Sequence, residues 1–525
     1  MTVWSVTAPT TVSSRVPDYF DTTIGWYAGP TQTGEAPWLA QTNVAPFTGV
    51  SYIPNTPLET QVPIHGNVDN RNIFERLGNL SPYFPNPRGF GVKEYPMPPG
   101  SNATWVNIVH RHGSRYPEAG GREITLAKKI MDAKGRFTAY GPLSFLHDWR
   151  WMGGAEILVP VGKQQLFDSG TLHYYQYGHL FPNNGSKIIA RSTTQRRMLE
   201  SAEYFLAGFF GLGWTQNATL ELIIESDGFN NTMAGYKACN RSNWDMTGKL
   251  AHEWAGVYLA DAHERIKANL SGNLDWTLED TYNAQALCAY ETVGLGFSHW
   301  CGLFTYEEWE GFEYSLDIGF AVGSGFQSPV GRAIGIGYVQ EVLARMQHHL
   351  LTDPAAQINI TLDNNTITFP VDQALNLDFS HDSNIISILT AFGLTQFNTF
   401  LPTTHILHDR EFVLSHVEPF AGRLDIEIIK APAPVNASRS VSQPEIYVDG
   451  PPTSYVHFVL NQRTIPLGKS LEECGDRDDG WCEMQTFLEV QKKQIELADY
   501  EYACFGDYDA GEYGDVTDGR PPDRK

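Results

Sequence analysis

Three times along this chain an apolar run fit for a buried strand breaks off into a polar cluster: "TWVNIV" runs into "HRHGSRYP", "KIIA" into "RSTTQRR", and "LNLDF" into "SHD". Helical patterning follows the last two. Leu199, Ala202, Phe205 and Leu206 form one stripe, and Ile385, Ile386, Leu389 and Phe392 form another. Strand, polar cluster and helix, recurring in that order, predict an α/β fold with the clusters at the carboxyl ends of strands. Ligands of open α/β sheets gather there, and helix N-termini add unpaired N–H groups that suit anions.

Gathering the clusters would place Arg111, His112, Arg115, one or both of Arg196 and Arg197, His381 and Asp382 around one crevice. Guanidinium groups bind phosphate through paired hydrogen bonds and stay charged at any relevant pH. Their charge would keep the His112 imidazole neutral, and so nucleophilic, in acid. A carboxyl group beside a bound phosphate could hold a proton for the departing alcohol, and Asp382 fits that role. Asp382 or Ser383 could also cap the following helix, which is compatible with catalysis. Arg191 reads as support for the pocket rather than a member of it. His348 and His349 lack partners at metal spacing, and "GRAIGIGY" lacks the spacing of a phosphate loop, so backbone packing explains its glycines better.

The remaining sequence sets the surroundings. With 525 residues the chain can bury more than one packing unit, and a formal charge of −23 argues against broad binding to nucleic acid or anionic membrane. Any anionic ligand must be captured locally. No stretch is long and apolar enough to span a bilayer. Sequons at Asn79, Asn102, Asn184, Asn217, Asn230, Asn240, Asn269, Asn359, Asn364 and Asn436 are glycosylation candidates, and six cysteines permit complete pairing in an oxidising compartment. Secretion is expected on both counts. The opening "MTVWSVTAPTTVSSRVPDYF" has neither the basic nor the apolar region of a secretory leader, so a mature or truncated start is expected.

Residues 1–65 read as an extended arm, 66–214 and 331–506 as the α/β domain, 215–330 as a mostly helical domain between its halves, and 507–525 as an acidic disordered tail. Spacing favours the local disulfides Cys474–Cys482 and Cys288–Cys301, which leaves Cys239 for Cys504.

"RHGSRYP" with the later "SHD" resembles the histidine acid phosphatases, a branch of the histidine phosphatase superfamily that includes fungal acid phosphatases and phytases. The likeness continues in order through "LVPVGKQQLFDSG", "RRMLESAEYF", "WCGLFTYEEWE", "FAGRL" and "YACF", over residues 75 to 506. It implies a large α/β domain with a mixed, mostly parallel central sheet flanked by helices, a smaller helical domain, and an active site in the crevice between them. It also implies the same three disulfides. By resemblance, His112 is the nucleophile that becomes phosphorylated, Arg111, Arg115, Arg197 and His381 hold the phosphate, and Asp382 protonates the leaving group. Arg196 then faces solvent. No metal and no cofactor are implied, since three arginines supply the electrostatic stabilisation.

Phytases of narrow specificity resemble "GKYAFLK" where this chain has "GPLSFLH", so their two pocket lysines fall on Pro142 and His147. The expected function is a secreted acid phosphatase of broad specificity, phytate included, acting on small phosphomonoesters, with no nucleic-acid or membrane partner and with room for a homo-oligomer. A dedicated phytase and a catalytically inactive phosphate-binding protein are the alternatives. The presence of a nucleophile and an acid in the matching positions argues against the last.

Overall fold

The computed structural model describes residues 71–182, 184–242, 245–353, 356–439 and 446–524; the expected arm over 1–65 lies outside them. The strands are β1 (Asn102–Arg111), β2 (Phe137–Ala139), β3 (Ile188–Thr193), β4 (Ala218–Ile223), β5 (Leu270–Gly272), β6 (Leu375–Ser380), β7 (Arg423–Ala431), β8 (Thr453–Leu460), β9 (Arg463–Ile465) and β10 (Cys482–Glu483). Eight of them form one mixed sheet in the order β10-β8-β7-β1-β6-β3-β4, with β9 also on β8, while β2 and β5 pair apart. The site-bearing half, β1, β6, β3 and β4, is parallel, and β7 to β10 continue it antiparallel. Sheets covered on both faces call for strands that are apolar on both faces, and Trp105, Val106, Ile108 and Val109 of β1 are all buried.

Register does the work of assembly. Parallel pairing of β1 with β6 sets Val106 beside Leu375 and Arg111 beside Ser380, so the chain leaves both strands side by side into His112 and His381. Pairing of β3 with β6 sets Ser192 beside Phe379, which brings the second cluster to the same edge. Helices Pro160–Tyr177, Arg196–Phe210, Gly331–Met346 and Asp382–Ala391 pack on the sheet. The glycines of "GRAIGIGY" serve helix packing: a Cβ at Gly335 would stand 2.2 Å from the Ser387 carbonyl oxygen.

Helices Asp245–Tyr258, Ala260–Lys267, Leu278–Leu295 and Tyr306–Gly323 follow β4. Two of them start at capping boxes, Thr277 with Asp280 and Thr305 with Glu308, in which each side chain satisfies the other residue's exposed N–H. The expected boundary at 215 does not hold at β4, because that strand pairs with β3 in the central sheet. The helical core is also built from outside 215–330: Leu126, Ile130, Leu143 and Leu146 pack with Leu287, Trp300, Trp309 and Phe312.

The expected disordered tail is instead laid against the body as far as Arg524. Arg332 donates to the Asp518 carbonyl and carboxylate, Gly519 exchanges backbone bonds with Phe326 and Arg332, and Tyr513 donates to the Leu401 carbonyl. Its acidic residues have a buried guanidinium to neutralise, which composition alone does not reveal. Disulfides join Cys239 to Cys504, Cys288 to Cys301 and Cys474 to Cys482.

Candidate active site

Gly113 opens the site. Its missing side chain lets the loop after β1 lie on helix Pro160–Tyr177, where a Cβ would fall 2.2 Å from the Gly162 carbonyl oxygen, and a Cβ at Gly162 would fall 2.0 Å from that of Ser114. Two glycines facing each other permit a backbone approach that no other residue pair allows. Ser114 N–H donates to Gln165 Oε1 and its carbonyl accepts from Val159, so the loop is pinned at both ends.

His112 stands at the centre, buried, with Nδ1 2.9 Å from the Gly113 carbonyl oxygen. A carbonyl only accepts, so Nδ1 carries the proton and Nε2 keeps its lone pair for the pocket. Burial first, then the charges of Arg111, Arg115, Arg197 and His381, hold the imidazole well below its usual 6.5. Both effects disfavour the charged form of the ring. The His381 ring lies 5.8 Å away in an edge contact, and Nε2 of His381 donates to Glu225 at 2.9 Å. Glu225 also accepts from Gln195 and Tyr236.

Arg111 has no exposed surface. Its Nη1 donates to the carbonyls of Asn79 and Glu418, at 2.6 and 2.7 Å, and its Nη2 lies 2.7 Å from Asp382 Oδ2. Its guanidinium also covers Phe420 at 4.7 Å, and Phe420 lies beside His112. Arg115 and Arg197 are buried and converge on Glu118. Arg196 points away, exposed and paired with Glu200. Arg191 is buried within β3, paired with Asp378 and Glu341 rather than with the groups around His112.

Asp382 is the first residue of its helix, and its Oδ1 accepts from the Ser383 N–H. Burial pushes this carboxyl up, but Arg111, then Asn79, Arg115 and the Ser383 N–H, outweigh it and hold the group below the usual carboxylate value. Beside Arg111 the ionised form of Asp382 is therefore the favoured one. Glu418 is the opposite case: burial drives it well above the usual range, Arg111 recovers only part, and neither carboxyl oxygen has a hydrogen-bond partner among the described residues.

Four site residues escaped sequence reasoning: Asn79, Glu118, Glu225 and Glu418. Asn79, which also heads a sequon, donates its Nδ2 to Asp382 Oδ2 at 2.9 Å. Only the position of Glu118 within the "RYPEAGG" loop gave a signal. His348 and His349 follow the end of helix Gly331–Met346, where His348 Nδ1 lies 2.9 Å from the Val371 carbonyl oxygen.

Residues 103–461 match the Histidine phosphatase superfamily (branch 2). Phytase A of Aspergillus oryzae is 29% identical over 431 residues, covering 78% of this chain and 86% of that protein. An acid phosphatase of Schizosaccharomyces pombe is 27% identical over 437 residues, covering 79% and 86%. The crystal structure of the phytase from D. castellii shares the fold, with a TM-score of 0.67 at 23% identity over 84% of this chain and 89% of that one. The match over residues 103–461, more than half of the chain, places it in branch 2 of the histidine phosphatase superfamily.

Proposed function

We propose that this protein is an acid phosphatase that hydrolyses phosphomonoesters of broad structure, phytate among them, through a phosphohistidine. The observation that carries the reading is His112: its Nδ1 is committed to the Gly113 carbonyl, and its Nε2 is left to a pocket framed by Arg111, Arg115, Arg197 and His381. In the first step Nε2 forms a bond to phosphorus as the bond from phosphorus to the alcohol oxygen breaks. Asp382 gives that oxygen a proton. A bound phosphate offers Arg111 a second anionic partner and adds negative charge nearby, and both raise the proton affinity of Asp382. In the second step Asp382 takes a proton from water, the water oxygen bonds to phosphorus, and the bond to Nε2 breaks to release inorganic phosphate. The arginines and His381 neutralise the equatorial oxygens throughout.

Broad specificity is supported by the exposed Pro142 and His147, which stand where phytases of narrow specificity resemble a lysine-bearing segment. Secretion is supported by the three disulfides, which persist in oxidising compartments. Acid-sensitive, base-stable phosphate trapped on His112 after quenching a reaction with labelled phosphomonoester is the expected result, and His112→Ala should abolish it. Label on a serine or an aspartate would overturn the mechanism.

A further inference from the structure

The phosphate pocket already contains an anion, and the chain supplies it. Glu118 Oε1 lies 2.9 Å from Arg115 Nη2 and 3.0 Å from Arg197 Nη2, and Arg197 Nη1 reaches Glu118 Oε2 at 3.4 Å. Two oxygens facing one planar fork is also the way a phosphate meets an arginine. Arg111 is meanwhile engaged by Asp382. Every guanidinium of the pocket therefore has an internal carboxylate partner before substrate arrives.

The partners differ in freedom. The side chains of Arg115 and Arg197 are each 9% exposed, whereas that of Glu118 is 48% exposed. Arg115 is further held by its bond to the Tyr116 carbonyl and a strand-like bridge to Leu158. The backbone around Glu118 is fixed by bonds from Ala119 N–H to Glu156 and from Glu156 N–H to the Pro117 carbonyl. Only the Glu118 side chain needs to rotate, and it rotates into water, where a carboxylate is solvated at little cost.

We infer that Glu118 is a displaceable internal anion that competes with the substrate's phosphate for Arg115 and Arg197, and that it favours esters carrying a single phosphate over polyphosphorylated ones. The inference rests on the phosphatase reading of this pocket. An entering phosphate takes over the two guanidiniums, and Glu118, tethered three residues from Arg115, turns to the pocket mouth without leaving it. There it faces the leaving group. A second phosphate on the substrate meets a like charge, whereas a neighbouring hydroxyl meets a hydrogen-bond acceptor. Glu123, half-buried close to Arg115 and Glu118, adds charge of the same sign when ionised.

The test uses the full chain with Glu118→Gln and Glu118→Asp. Glutamine keeps the shape and removes the charge, and aspartate keeps the charge on a stem too short to bridge both arginines. Inorganic phosphate is titrated calorimetrically, and nitrophenyl phosphate and phytate are compared as substrates. If the carboxylate closes the pocket in about nine molecules of ten, the apparent Kd for phosphate is raised about tenfold. E118Q should then bind inorganic phosphate about tenfold tighter, with the gain for nitrophenyl phosphate appearing in KM and the phytate-to-nitrophenyl ratio of kcat/KM rising. E118D should fall between. Unchanged or weaker phosphate binding by E118Q would overturn the competition, since Glu118 would then merely hold the arginines in place. A ratio that does not rise would overturn the preference for single phosphates. Tighter phosphate binding by an E118Q protein that, like the wild type, hydrolyses no phosphomonoester would uphold the competition and sink the phosphatase reading instead.

Discussion

Replacing Glu225 by glutamine probes how His381 is held. The Glu225 side chain has no exposed surface, and it accepts from His381 Nε2 at 2.9 Å, Gln195 Nε2 at 2.7 Å and Tyr236 Oη at 2.9 Å. Burial raises its carboxyl, but the hydrogen bond and charge of His381, helped by Tyr236, outweigh burial and bring it from 4.5 down to about 2. A group whose folded value lies below its unfolded one stabilises the fold above the unfolded value, and the contribution is lost as pH falls through the folded value. For Glu225 the contribution is whole above pH 4.5 and gone below about 2. Its size, from the interval between those values, is about 3 kcal/mol. Glutamine keeps the shape and one acceptor but cannot titrate. Urea unfolding of both proteins from about pH 6 to about pH 2 should therefore show the wild type losing about 3 kcal/mol more than E225Q. Comparing the two curves cancels every other carboxyl group. Parallel curves would refute the claim that His381 rests on an ionised carboxylate.

Asp382→Asn should slow hydrolysis of alkyl phosphates by about a hundredfold or more, and far less for nitrophenyl phosphate, whose leaving group needs no proton; equal losses would remove Asp382 as the acid. Glycopeptide mapping of protein from a glycosylating host should find Asn79 bare and any glycans on exposed sequons such as Asn102, Asn184, Asn230, Asn240 and Asn364; a glycan on Asn79 would contradict its bond to Asp382. Removing the Cys239–Cys504 bridge with a paired serine substitution opens a loop spanning 265 residues. The loop-entropy argument sets the loss at up to about 5 kcal/mol, and calorimetry showing an unchanged unfolding temperature would rule that contribution out.

Legibility in the sequence followed the range of the interaction. Strand, cluster and helix are local, so the periodicity of Leu375, Leu377 and Phe379 before "SHD" located β6 and Asp382 without further help. Asn79 was out of reach, because its partner Asp382 lies 303 positions away and nothing in "GNLSP" points to it. Its sequon even drew the reading toward the surface. Glu225 and Glu418 were missed for the same reason: each matters through a contact that only the folded sheet creates. Composition misjudged the tail, since an acidic segment reads as solvated unless the cation it meets, here the buried Arg332, is known. The boundary at 215 failed because β4 is a short edge strand whose pairing with β3 is a contact that only the folded sheet creates.

Strand β1 lies between β6 and β7, and neither neighbour is local: Val106 pairs with Leu375 on one side and with Glu427 on the other. On a ribosome adding roughly 5–20 residues per second, a finished β1 waits on the order of 15 to 50 s for its first partner strand. During that time both of its edges offer unpaired N–H and C=O groups along an apolar stretch, an open template for a neighbouring nascent chain. His112, which follows β1, is thus made early and surrounded late, so yield in a foreign host should depend on synthesis rate and chaperone supply well before it depends on the stability of the finished protein.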